Sequence, residues 1–86
     1  MKRADILKQL EKDVKLLKKH KQSYSFRRYT WKGDKYRYKI DLVANITHGD
    51  SIFDKSITGI QYQTAGGANK LISEINKKFK SKLKMF

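Results

Sequence analysis

Apolar residues recur at helical spacing near both ends of the chain. In residues 4–20 and 67–84 they follow one another at intervals of three and four, which aligns them along one side of a helix. The spacing therefore predicts two amphipathic helices, with Leu16 off the apolar stripe and exposed. The two apolar stripes are Ile6, Leu7, Leu10, Val14 and Leu17, and then Ala68, Leu71, Ile72, Ile75, Phe79 and Leu83.

The middle of the chain alternates with a period of two and predicts three strands. A first strand over residues 23–31 changes face between Phe26 and Tyr29, and this change predicts either a bulge at Arg27-Arg28 or a strongly twisted strand. A second strand over residues 35–44 is the most regular, followed by a polar loop over 45–50. A third strand lies within residues 51–63, with 56–63 the favoured part. On the second strand one face carries Tyr36, Tyr38, Ile40 and Leu42.

Two turns complete the predicted order of elements. Residues 32–35 read as a hairpin turn with Gly33-Asp34 at its centre. Before the last helix, Thr64 is a candidate N-cap, and Gly66-Gly67 predicts a turn that needs positive φ. A backbone phosphate site at these glycines, helped by Lys70, is the weaker interpretation. The fold class is therefore α+β, with order α-β-β-β-α: one domain over 1–86, a three-stranded antiparallel sheet and both helices on one face.

Charge is the feature that points to a partner. The chain carries 21 Lys+Arg against 8 Asp+Glu, a net charge of +13, yet residues 45–67 hold only one basic side chain. Such an excess repels itself unless a polyanion neutralises it. Nucleic acid, as duplex DNA or RNA, is the first candidate, an acidic protein surface is possible, and an anionic membrane is the least favoured because the last helix needs its apolar stripe for the core.

Other classes of function find little support in the sequence. The chain has no Cys, which excludes disulfides, thiolate metal sites and cysteine nucleophiles. His20, His48 and the carboxylates show no ligand or catalytic spacing, so we expect no cofactor, no metal and no enzymatic activity. With no run of apolar residues long enough to cross a bilayer and no signal-peptide pattern at the start, we expect a cytoplasmic protein.

Basic residues cluster in two places that could contact phosphates. A basic hairpin can enter a nucleic-acid groove, and lysine rows on the helices can neutralise several phosphates at once. The alternative is that the lysines only solvate the helices and that the aromatic rings fill the core, although Trp31 remains a candidate for stacking on bases. The candidate residues are Arg27, Arg28, Trp31, Lys32, Lys35, Arg37 and Lys39 on the hairpin, and Lys8, Lys12, Lys15, Lys70 and Lys77 on the helices.

The order α-β-β-β-α with a basic last helix resembles the double-stranded-RNA-binding domain. The resemblance implies contacts from the first helix, the first hairpin turn and the start of the last helix, that is, from Lys8, Lys12, Lys15, residues 32–35 and Lys70. The chain departs from that family where Gly66, Gly67 and Asn69 replace a lysine cluster, and where no Pro precedes the first strand. The sheet is also similar to the DNA-reading arm-binding domains of phage and transposon integrases.

The sequence thus favours a small non-catalytic nucleic-acid-binding protein that uses its hairpin and sheet face. On this hypothesis, reversing the charge of Arg37 and Lys39 weakens binding more than reversing Lys80 and Lys84. The alternative is a small inhibitor or adaptor, of the kind that phages and mobile elements encode, which docks on an acidic or nucleic-acid-binding surface of a partner protein.

Overall fold

The computed structural model describes residues 2–30 and 37–86 and confirms the predicted α+β order. Helix α1 begins the chain and helix α2 follows a three-stranded antiparallel sheet in which β2 is central. The elements are α1 (Arg3–Lys19), β1 (Tyr24–Thr30), β2 (Tyr38–His48), β3 (Ser51–Tyr62) and α2 (Ala65–Phe79).

Local sequence explains the helix ends. Helix α1 ends in a basic stretch, with His20 as its C-cap and Lys21 at φ 53°. Thr64 caps α2 as predicted, because its hydroxyl accepts a hydrogen bond from the Gly67 amide at 3.2 Å. The expected positive-φ turn is wrong, since Gly66 and Gly67 lie inside the first turn of α2. A Cβ at Gly67 would lie 3.1 Å from the Tyr62 ring, so close packing explains that glycine better.

The hairpin between β2 and β3 is longer than the sequence predicts. Residues 45–50 were expected to form a polar loop, but β2 continues to His48 and β3 begins at Ser51. Gly49, at φ 62°, permits the tight two-residue turn between them. The polar side chains misled the prediction because this end of the sheet is largely exposed, so neither face needs a continuous apolar row.

The register places the one irregularity of the described sheet on β3. Strands β1 and β2 pair without a break from Tyr24 opposite Ala44 to Thr30 opposite Tyr38, so the bulge predicted at Arg27-Arg28 is wrong. The break falls instead between Leu42 and Val43 of β2, where Ile57 is the extra residue on β3. Arg27 and Arg28 therefore point to opposite faces of a regular strand.

Helix α2 ends at Phe79, five residues before the predicted end. Lys80 adopts the left-handed conformation, and residues 81–86 continue without regular secondary structure. We call residues 80–86 the strap. Leu83 and Phe86 of the strap pack against the core, so they still contribute apolar contacts, although not as part of a helix.

The core lies between one face of the sheet and the two helices. Ile40 and Leu42 of β2 are fully buried against residues of both helices, which confirms the predicted core face of β2 and the position of both helices on one side. Tyr24, Phe26, Tyr38 and the strap pack around the edge of this cluster. We call α1, α2 and the strap the helical layer. The buried helical residues are Ile6, Leu10, Val14, Ala68, Leu71, Ile72 and Ile75.

Candidate nucleic-acid interface

The outward side of α1 carries a row of lysines. The apolar stripe of α1 fixes the orientation of the helix, so lysines at about 100° steps on the opposite side point into solvent. One carboxylate interrupts the row: Glu11 lies 3.6 Å from Lys15 and 3.0 Å from Lys78 of α2. Both contacts, led by the hydrogen bond from Lys78, hold the pKa of Glu11 below its ordinary value. The exposed row comprises Lys8, Lys12, Lys15 and Lys19.

A second group of exposed lysines lies on α2 and the strap. Lys70 and Lys77 are on α2, and Lys80, Lys82 and Lys84 are on the strap. Among the described residues, none of these five has a carboxylate within ion-pair distance. We call these five lysines, together with Lys8, Lys12, Lys15 and Lys19, the lysine face.

Two asparagines of α2 hold the strap in place. Asn76 makes a closed pair of hydrogen bonds with the backbone of Leu83, donating to its carbonyl and accepting from its amide, both at 2.9 Å. Seven residues earlier, on the same side of the helix, Asn69 accepts from the Phe86 amide at 2.7 Å and donates to its carbonyl at 3.4 Å. Each asparagine thus satisfies the backbone amide and carbonyl of one strap residue.

The alternation of the strap directs its lysines outward. Leu83 contributes to a cleft of about 310 Å³ with Tyr24, Phe26 and Phe79, so this part of the strap lies beside β1. The lysines at positions 80, 82 and 84 are exposed, while Ser81 and Leu83 between them are partly buried.

The cations on the open face of the sheet, away from the helices, are largely paired. Arg27 lies 2.9 Å from Asp54, which also accepts a hydrogen bond from Asn45 at 2.7 Å. Lys39 lies 3.6 Å from Asp41, a carboxylate with only 4% of its surface exposed. These contacts neutralise two of the cations that the sequence assigns to a phosphate-binding hairpin.

The remaining candidate residues of the hairpin do not lie together in the structure. Arg28 is on the helical side of β1, where its guanidinium lies 5.0 Å from the centre of the Phe86 ring. Arg37 is exposed just before β2, with its amide bonded to the Tyr62 carbonyl at 3.1 Å. Trp31, Lys32 and Lys35, with the predicted turn at 32–35, lie outside the described residues, so their proposed contacts stay predictions.

The structure thus leaves the helical candidates exposed on the two helices and divides the described hairpin candidates between two faces. Reasoning from helical periodicity missed the strap lysines as an extended group. The alternation of lysine with Ser81 and Leu83 was the available signal, because it has the period of a strand.

Other chemistry is sparse in the part of the chain that the structure describes. No group of three or more His, Asp or Glu side chains there could hold a metal ion. No helix within residues 2–30 and 37–86 is long and apolar enough to cross a membrane. Burial raises the pKa of Tyr62, whose ring packs at the edge of the core.

Comparison of the chain with protein-family models, curated proteins and solved structures finds no match. The α-β-β-β-α topology agrees with that of the double-stranded-RNA-binding domain, but membership of that family has no support beyond the topology.

Proposed function

We propose that this chain is a small non-catalytic nucleic-acid-binding protein whose lysine face contacts phosphates. The observation that supports the proposal is the contrast between the two sides of the molecule. Eight of the nine lysines of the lysine face have no carboxylate within ion-pair distance among the described residues, Lys15 being the exception, whereas Arg27 and Lys39 on the open sheet face are both paired with carboxylates. A phosphate gains most from cations that do not first have to break an ion pair.

The site proposed here differs from the one that the sequence favours. Hairpin and sheet cations were expected to dominate, and Lys80 and Lys84 to matter less. Since Lys39 is held by a buried carboxylate while the strap lysines are exposed, we now expect the opposite order of effects. Phosphates are common to DNA and RNA, so the proposal covers both.

Fluorescence anisotropy with labelled duplex DNA, duplex RNA and single strands at several salt concentrations tests the proposal. The matched variants are Lys80→Gln/Lys84→Gln and Arg37→Gln/Lys39→Gln, each of which removes two positive charges. We expect the first pair to lower the slope of log affinity against log salt by about two, and the second pair to change it less.

Two outcomes contradict the proposal in different ways. An equal or larger loss in Arg37→Gln/Lys39→Gln would return the site to the sheet face. Absence of binding to every nucleic acid near physiological salt would favour the inhibitor or adaptor hypothesis, and a stoichiometric protein complex that survives high salt would support that hypothesis directly.

A further inference from the structure

The far end of the β2–β3 hairpin extends beyond the core. We call residues 45–54 the ribbon; it comprises the last four paired positions, from Asn45 opposite Asp54 to His48 opposite Ser51, and the turn. Ile46, Ile52 and Phe53 neither belong to the core cluster nor pack against it. The ribbon therefore contributes little to the packing of this domain.

Its apolar side chains are nevertheless exposed. Ile52 has 75% and Phe53 50% of its surface accessible, and Ile57 at the bulge is also exposed. Single exposed apolar residues are ordinary, but Ile52 and Phe53 point to opposite faces of the ribbon, so both of its faces carry an exposed apolar side chain.

Strand β3 is also an open edge. It is the outer strand of the sheet, and edge strands of natural proteins usually carry charges or proline that prevent pairing with another chain. In β3 only Asp54 and Lys55 are charged, and Asp54 is already engaged by Arg27 and Asn45. The ribbon thus has little protection against association.

The distribution of charge along the chain indicates which kind of partner the ribbon fits. Residues 40–69 contain one basic and three acidic side chains, whereas the other 56 residues contain twenty basic and five acidic ones. Two copies with a net charge of +13 repel each other at almost every surface. The region around the ribbon is where that repulsion is smallest, and the apolar ribbon of one copy matches the apolar ribbon of another. An acidic partner protein, by contrast, would be drawn to the lysine face.

We infer that the chain forms a homodimer through its ribbon, with a two-fold axis that brings the same exposed residues of both copies together. The exposed apolar surface of the ribbon is small, so the dimer is weak and concentration-dependent. Salt strengthens it, because screening reduces the repulsion between the two basic bodies while the apolar contact persists. This dependence is opposite to that of phosphate binding, so the dimer and the proposed function can fail independently.

Sedimentation velocity of protein freed of nucleic acid, over a range of concentrations at about 50 mM and about 500 mM salt, tests the inference. We expect dimer at the higher salt, and we expect Ile52→Lys to weaken dimerisation at least about tenfold. Met85→Lys is the matched control: it adds the same charge at another exposed apolar residue, outside the ribbon, and is expected to retain most of the dimer. Circular dichroism checks the fold, and Thr47→Lys, directly opposite Ile52, provides a second ribbon variant.

Three results would overturn the inference. They are a monomer at every concentration and salt, a dimer that weakens as salt rises, and folded Ile52→Lys and Thr47→Lys variants that dimerise as well as the original chain.

Discussion

The two edges of the sheet differ in what lies beside them. Beside β1, the strap is held to α2 by Asn69 and Asn76, buries Leu83 and Phe86, and presents lysines to solvent. At the β3 edge, the ribbon leaves Ile52 and Phe53 exposed and carries no lysine or arginine. Apolar side chains therefore stabilise the fold at one edge of the sheet and stay exposed at the other.

Replacing a buried and an exposed isoleucine by alanine should give the largest difference in the free energy of unfolding. Ile75 of α2 is fully buried and Ile52 of the ribbon is mostly exposed. We expect Ile75→Ala to lower the free energy of unfolding by about 2–5 kcal/mol, because it removes buried contacts and leaves a cavity. Ile52→Ala should change the free energy of unfolding by less than about 0.5 kcal/mol, as measured by urea denaturation at a concentration where the protein is monomeric. Similar losses in both variants would mean that the ribbon is part of the folded core.

Two asparagine substitutions compare the strap and the ribbon for the contribution of their hydrogen bonds. Asn76→Ala removes the partners of the Leu83 backbone and of the Ser81 hydroxyl, which donates to Asn76 at 2.6 Å. We expect a loss of about 1–2 kcal/mol, together with faster amide exchange at Leu83. Asn45→Ala removes a single exposed hydrogen bond to Asp54, so it should cost less than about 0.5 kcal/mol. An Asn76→Ala variant with unchanged stability and unchanged exchange would show that the strap does not depend on this contact.

Much of the fold follows from local patterns. The three-and-four spacing of Leu10 and Val14 predicts the buried side of α1, and the alternation of Ile40 and Leu42 predicts the buried side of β2. These predictions succeed because burial on one side of an element imposes the period of that element on the sequence. The Thr64 cap succeeds for a similar reason, since it depends only on neighbouring backbone.

Two of the predictions that failed depend on side chains that the fold brings in from outside the local pattern. Leu83 continues the helical spacing of α2, but the side chain of Asn76 competes for its backbone, and no periodicity reports that competition. Arg27 looks like a free cation until β3 brings Asp54 beside it, 27 residues later in the chain. Sheet register decides which charges are paired, and for this reason the sequence alone places the candidate interface on the hairpin rather than on the helical layer.

The smallest effect tests whether charge in the helical layer contributes to stability at all. Lys78, and then Lys15, lower the pKa of Glu11 from its ordinary 4.5, so the folded chain binds this proton less tightly than the unfolded chain does. The contribution is therefore fully present above pH 4.5 and is lost as the pH falls through the lowered pKa of folded Glu11. Glu11→Gln should flatten that acid dependence, as measured by thermal unfolding between neutral pH and about pH 3. Glu74→Gln, at an exposed residue outside the described ion pairs, is the control. If the pH profiles of Glu11→Gln and of the original chain coincide as those of Glu74→Gln and the original chain should, the contact between α1 and α2 rests on apolar packing alone.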